Sequence, residues 1–387
     1  MSDLAPLHDL LSEMVQAYSQ KNQAPHIPTP AEIGTHLHPL LDRMCEEAEK
    51  RNASDIFISA GFPPAIKVGG TLTPMPHKAL TGADPAAIAE STMNPDQLEA
   101  FNRDWEINYS VQSRSNTRYR VNAYHEQGRV GMVLRRVSQD IPEMKTLGLP
   151  EKLQELALAP RGLLILAGPT GSGKSTTMAC LIDRINHTRE GHIITLEDPL
   201  EYLHRHDRCI VSQREICTDT ESYLTSLRAT LRQSPDVILL GEMRDHETIQ
   251  TAMTAAETGH LVLSSLHTLG AANTIERIMD VFEPSQQHQI ALQLSMVLQA
   301  VISQQLIPDV DGRNIPVFEI MRLTPAIRNM IRDNKVHQIE GVISTSGQEQ
   351  MRSMDQSLLE LYKKGRITRD TALKYALNAD MLKRRLM

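Results

Sequence analysis

The chain has 387 residues, with 40 Lys plus Arg against 47 Asp plus Glu, a formal charge of −7 with His neutral. That length predicts two or three domains, and 41% hydrophobic with 22% charged residues excludes wholesale disorder and collagen-like repeats. An acidic chain with 4% aromatics is a poor match for a dedicated nucleic-acid binder.

Residues 1–30 read as a short amphipathic segment (Leu7, Leu10, Leu11, Met14, Val15) and then a linker broken by Pro25, Pro28 and Pro30. The start Met1-Ser2-Asp3-Leu4 lacks the basic and apolar regions of a secretory signal. Leu37, Leu40, Leu41, Met44 and Ala48 then repeat at helical spacing, which predicts a helix over Leu37–Arg51. From Ser54 to Val137 short alternating runs, Asp55–Ser59 and Tyr119–Ala123 among them, are punctuated by Gly61, Pro63-Pro64 and Gly69-Gly70. This pattern predicts a small α+β domain. Pro142, Pro150 and Pro160 surround a short helix and mark a boundary.

The second half changes character. Gly162–Ala167, Ile193–Leu196, Val237–Leu240 and Leu261–Ser264 are nearly continuous apolar runs with helical stretches between them. Strands buried on both faces read this way, and the alternation predicts parallel βαβ units. Ile290, Leu294, Val297, Leu298, Val301 and Ile302 predict one face of a long helix, and the C-terminal third reads as mostly helical. No apolar run nears the ~18 residues needed to cross a bilayer. Cys45, Cys180, Cys209 and Cys217 form no CxxC pair, so they read as reduced thiols used as small apolar side chains, not a zinc site. A cytosolic multi-domain protein is expected.

Gly168-Pro169-Thr170-Gly171-Ser172-Gly173-Lys174-Ser175-Thr176 fits G-x-x-x-x-G-K-[ST] between an apolar strand and a helix expected over Thr177–Asn186. Glycines let successive N–H groups turn inward at phosphates, and the helix N-terminus adds positive potential. Lys174 would sit on the β- and γ-phosphates, and the Ser175 hydroxyl would ligate Mg²⁺. ATP and Mg²⁺ are the expected cofactors.

Three further clusters carry candidate chemistry. Asp236–Glu242 is a buried strand ending in Gly241-Glu242; Glu242 could polarise the attacking water as general base, or cap a helix or pair with a cation. Glu197-Asp198-Pro199-Leu200-Glu201 follows a strand and could hold Mg²⁺ through water or orient the nucleophile, although an acidic turn before proline is ordinary. Glu257–Thr268 places His260 and His267 at the two ends of an apolar strand. Either imidazole could sense γ-phosphate or pass a proton, and either could be structural.

Taken in order, these segments resemble the secretion ATPase superfamily, and within it the type IV pilus retraction ATPases (PilT-type). That family's P-loop, Asp box, Walker B and His box look like Gly168–Thr176, Glu197–Glu201, Asp236–Glu242 and Glu257–Thr268, and Gly241-Glu242-Met243-Arg244-Asp245 is typical of it. Ala326-Ile327-Arg328-Asn329-Met330-Ile331-Arg332-Asp333 is similar to the retraction signature, with Met330 and Asp333 as substitutions. Ser54–Gly61 and Arg118–Asn122 extend the likeness to the N-terminal half, and residues 1–30 and Ser264-Ser265 depart from it.

The resemblance implies an α/β architecture: a RecA-like P-loop ATPase domain over 161–387 with a helical C-terminal part, a linker over 141–160, a small α+β (PAS-like) domain over 31–140 and a flexible segment over 1–30. It implies a homohexamer in which Glu242, Glu197 and His267 act in catalysis, His260 and His267 sense phosphate, and Ser175 and Glu197 hold Mg²⁺. Arg120 and Arg135 look like the family's phosphate-reaching arginines; phosphoryl transfer independently calls for cations beyond Lys and Mg²⁺. The motor would drive retraction and twitching through an inner-membrane platform protein, from the cytoplasmic face, with paralogous pilus ATPases as further partners and no nucleic acid. The absence of a CxxC…CxxC insertion favours retraction over assembly. The alternative is the ATPase of a type IV or type II secretion apparatus.

Overall fold

The structure, a computed structural model, describes residues 38–138, 140–150, 155–345 and 351–386. The amphipathic segment and proline-rich linker expected within residues 1–30 lie outside the described residues. The chain divides between Val137 and Ser138 into two units.

The first unit opens with helix α1 (Pro39–Lys50), where Pro39 stands in the first turn, suited by its fixed φ. Six strands follow, β1 (Asp55–Ile58), β2 (Ala65–Val68), β3 (Thr71–Pro74), β4 (Glu106–Gln112), β5 (Arg118–Glu126) and β6 (Arg129–Arg136). They form an antiparallel sheet in the order β3-β2-β1-β6-β5-β4. Helices α2 (Ala83–Thr92) and α3 (Pro95–Asp104) interrupt the strand sequence, and Asn94 with Gln97 closes a capping box at the start of α3. Leu41, Met44, Cys45 and Ala48 of α1 pack with Ile56, Ile58, Ile66, Tyr119 and Leu134 into one apolar core. The helix-period stripe and the strand alternation meet there.

The second unit is built on a seven-stranded sheet. Its strands are β7 (Gly162–Ala167), β8 (Gly191–Glu197), β9 (Cys209–Glu215), β10 (Val237–Leu240), β11 (Leu261–Leu266), β12 (Leu298–Pro308) and β13 (Asn314–Arg322), ordered β13-β12-β7-β11-β10-β8-β9. All pairings are parallel except the β12–β13 hairpin. Alternate residues of β7 feed two different cores: Leu163, Ile165 and Ala167 join one, Leu164 and Leu166 the other. Helix α4 (Lys174–Thr188) covers the second face through Met178, Leu181, Ile182 and Ile185. Helices α5 (Tyr223–Thr230), α6 (His246–Glu257), α7 (Ala271–Asp280) and α8 (Pro284–Val297) cover the first. A sheet covered on both faces is why these strands read as unbroken apolar runs.

One expectation is corrected. The long helix drawn through Leu298, Val301 and Ile302 ends at Val297, and Leu298 begins strand β12. β12 inserts between β7 and β13 and is buried on both faces, so its apolar residues need no period-2 pattern and mimic a helical stripe. Beyond the hairpin the chain is helical: α9 (Pro325–Arg332), α10 (Ile339–Thr345), α11 (Met354–Lys363), α12 (Arg369–Lys374) and α13 (Ala379–Arg385). The last three close a small core of Met354, Leu358, Ile367, Ala372 and Leu382 against Ile307 and Val317.

Cys45, Cys180 and Cys209 are buried as expected of apolar thiols, but Cys217 is exposed, in a turn with φ +64°. Among the described residues no helix is long and apolar enough to cross a membrane.

Candidate active site

β7, β8, β10 and β11 run parallel, so the segments after Ala167, Leu196, Leu240 and Leu266 emerge at one edge of the sheet. That edge is where open α/β sheets bind ligands. They surround a cleft of about 340 Å³ lined by Lys174, Ser175, Thr176, Glu197, Glu242 and His267, among others.

The phosphate loop leaves β7 at Gly168 and enters α4 at Lys174. Gly168 has φ +151°, and a side chain there would run into the Gln304 carbonyl oxygen; Gly173 has φ +88°, and its Cβ would lie 2.9 Å from Gln304 Nε2. Glycine is required at both. Lys174 is buried, its Nζ donating to the carbonyl oxygens of Gly168 (2.7 Å) and Pro169 (3.1 Å). Burial lowers its pKa, opposed by the charges of Glu242 and Glu201. These carbonyls are weak partners for an ammonium group, and phosphate oxygens are stronger ones.

Lys174 Nζ also lies 3.5 Å from His267 Nδ1, and His267 Nε2 lies 3.2 Å from Glu242 Oε2. An ammonium can only donate, so Nδ1 accepts and the ring carries its proton on Nε2, donating to Glu242. Glu242 Oε1 accepts from the Arg244 guanidinium. Burial pushes Glu242 upward, but the hydrogen bond and charge of Arg244, with His267, outweigh it and hold the carboxyl below its ordinary range. Gly241 donates its N–H to the Leu196 carbonyl at 2.8 Å. A Cβ at 241 would meet Tyr223 Oη at 2.8 Å and the Leu196 carbonyl at 3.3 Å, so the strand-end acid stands one position later. Ser265, one of the departures noted above, donates its hydroxyl to the Gly241 carbonyl at 2.7 Å and ties β11 to this turn.

Glu197 ends β8 and is half-buried. Burial raises its pKa to about 7, with the Gln213 amide lowering it and the charges of Glu201 and Glu215 adding to the rise. The oxygen donors offered here, the Ser175 hydroxyl and carboxylates of Glu197 and Glu242, suit a hard cation. No group of three or more His, Cys, Asp or Glu able to hold a metal occurs among the described residues.

His260 does not join this cleft. It precedes β11, at the opposite edge of the sheet, about 23 Å of strand rise from His267. Its Nδ1 lies 2.9 Å from the Ala255 carbonyl and 3.3 Å from Thr258 Oγ1. Within one chain, His260 and the phosphate loop therefore stand at opposite edges of the sheet. Asp236, at the same far edge, accepts from the His192 N–H at 2.8 Å. Arg120 and Arg135 belong to the first unit, face each other in register on β5 and β6, and Arg135 Nε donates to the buried Asp55 carboxylate at 2.8 Å. Ala326–Arg332 lies in α9, capped by the Thr324 hydroxyl, and Asp333 is its C-cap. Ile327 and Ile331 enter the core while Arg328, Asn329 and Arg332 are exposed.

Several residues that line the cleft or hold its loops were not legible in the sequence. Tyr202 Oη lies 2.9 Å from Thr176 Oγ1, and Gln213 Nε2 donates to the Tyr202 carbonyl (2.9 Å) and toward Glu197 (3.5 Å). Ser303 accepts from the Gly270 N–H (2.9 Å), and Glu319 accepts from the N–H groups of Ala271 (2.7 Å) and Met354 (3.3 Å). These fix the loop between His267 and α7 to the C-terminal helices. Only Tyr202 carried a signal, its place beside the acidic turn.

A phosphate loop at the edge of a doubly covered parallel sheet, with lysine, imidazole and a strand-end carboxylate in contact, defines a P-loop ATPase. The family described as Type II/IV secretion system protein matches residues 32–366. The chain is 43% identical over 328 residues to the type IV pilus retraction ATPase PilT of Pseudomonas aeruginosa, covering 84% of this chain and 94% of that protein. It is 41% identical over 335 residues to the type IV pilus ATPase PilU of the same organism, covering 86% and 88%. The crystal structure of the pilus retraction motor PilT with bound ADP matches with a TM-score of 0.84 at 43% identity, over 89% of this chain and 99% of that one. The chain belongs to the type II/IV secretion system protein family, and within it to the type IV pilus retraction ATPases. Its fold is an α+β N-terminal domain followed in the chain by a RecA-like ATPase domain.

Proposed function

We propose that this chain is a homohexameric, Mg²⁺-dependent ATPase that powers type IV pilus retraction through an inner-membrane platform protein, working at the cytoplasmic face alongside paralogous pilus ATPases. The observation that carries the reading is the contact chain Lys174–His267–Glu242 beside the phosphate loop. Lys174 exchanges its two carbonyl partners for β- and γ-phosphate oxygens. Ser175 and, through water, Glu197 hold the Mg²⁺ that accompanies ATP and offsets phosphate charge. Glu242, kept ionised, takes the proton of the attacking water. His267 touches both Lys174 and Glu242, and in this reading it registers loss of the γ-phosphate. Arg120 and Arg135 supply cationic charge to the transition state. The exposed side of α9, within Ala326–Asp333, passes the motion to the partner.

The test is deletion of the gene with surface pili and twitching scored. Excess pili on immobile cells are expected. Bald cells overturn the reading in favour of assembly, and normal pili with a secretion defect overturn it in favour of a secretion ATPase.

A further inference from the structure

β12 carries an oddity for a strand in the middle of a sheet: Ser303, Gln304 and Gln305 are consecutive, polar and almost wholly buried. Buried polar groups persist where their hydrogen bonds are satisfied, and the partners of Gln304 are specific. Its Nε2 donates to the Ser172 carbonyl at 2.8 Å, inside the phosphate loop, and its Oε1 accepts from Thr177 Oγ1 at 2.8 Å, in the first turn of α4. One amide thus grips the chain on both sides of Lys174. The backbone and side chain of the same residue occupy the space that side chains at Gly168 and Gly173 would need.

We propose that Gln304 is a positioning residue for nucleotide binding, aiming the Gly173 N–H at the phosphates. The Ser172 carbonyl and the Gly173 N–H belong to one planar trans peptide and point in opposite directions. Drawing the carbonyl outward onto Gln304 turns that N–H the other way, and Gly173 lines the cleft. A glutamine is needed, since only a neutral amide donates to Ser172, accepts from Thr177 and adds no negative charge beneath a phosphate site. The proposal rests on the reading of the cleft as the ATP site.

The test measures equilibrium binding of a fluorescent ATP analogue, with unfolding temperature, for wild type, Lys174→Ala, Gln304→Glu, Gln304→Leu and Gln305→Leu. Gln304→Glu conserves shape and the Thr177 acceptor but loses the donor to Ser172. Gln305 is the control, because it is equally placed in the strand but donates to the Tyr375 carbonyl at 3.0 Å, away from the loop. Gln304→Glu and Gln304→Leu should each weaken binding at least ~10-fold, whereas Gln305→Leu should lower the unfolding temperature and leave affinity within about twofold. Wild-type affinity in both Gln304 variants overturns the proposal, as does equal weakening by Gln305→Leu, which reduces the effect to general core damage. Wild type failing to bind where Lys174→Ala also fails overturns the ATP-site reading itself.

Discussion

Glu242 and His267 meet across the mouth of the cleft, Oε2 to Nε2 at 3.2 Å, while the other nitrogen of the same ring faces Lys174. The imidazole therefore joins the Lys174 ammonium to the carboxylate proposed above as the general base. Replacing Glu242 by Gln keeps the shape and leaves Lys174 and Ser175 in place but removes the proposed base. ATP binding should persist while steady-state phosphate release falls at least ~100-fold; undiminished release would remove Glu242 from the chemistry.

Glu197 gives the stability a pH signature. Its folded-state pKa, about 7, lies above the ordinary 4.5 because of burial. Between these values the folded chain holds a proton that the unfolded chain has released, so this group's contribution to stability is full below pH 4.5 and lost as pH rises through 7. Glu242 is depressed and acts below pH 4.5, with the opposite sign. Unfolding temperature without nucleotide should thus fall less steeply between pH 5 and 7.5 in Glu197→Gln than in wild type. Parallel curves would remove the assignment.

Gly241 and Tyr223 share one space. Gly241→Ala puts a methyl group 2.8 Å from Tyr223 Oη, too close for van der Waals contact, and displaces the turn that carries Glu242. Turnover should drop roughly tenfold or more, as small misplacements of reacting groups do. Tyr223→Phe in the same chain removes the clashing oxygen and should recover part of it, read as kcat for the two variants.

The two sides of α9 should separate motor output from folding. Arg328→Ala with Arg332→Ala, both exposed, should leave ATPase activity within about twofold of wild type and abolish twitching. Ile331→Ala opens a cavity in the core and should cost about 2–5 kcal/mol of stability, seen in denaturant unfolding. Loss of ATP binding in the arginine variant would sink the separation.

The phosphate loop, the four apolar strands and the acidic turn were legible in the residues because local chemistry demands them: glycines for the turn, unbroken apolar runs for strands covered on both faces. The hairpin β12–β13 was not. Leu298, Val301 and Ile302 continue the helical spacing of Ile290 and Leu294, and the buried Gln304 looks like a solvated polar residue until its partners Ser172 and Thr177 are known. These contacts span more than 120 residues of chain, beyond any local pattern. The placement of His260 was not legible for a related reason. The residues place an imidazole at each end of β11, and only the direction of the parallel strands decides which end meets the P-loop.

Cys217 gives the native chain a single addressable thiol. Burial pushes Cys45 up to about 12 and Cys180 to about 11 and raises Cys209, so these three stay protonated and covered near neutrality. A maleimide dye at pH 7 should give one adduct by mass spectrometry, at Cys217. The neighbouring Ile216 N–H is bonded to the Glu197 carbonyl at 2.9 Å. A fluorophore there is tied through the Ile216–Glu197 bond to the acidic turn without any engineered cysteine, so its emission should change when ATP is added, and an unchanged signal would show that the turn does not respond to nucleotide.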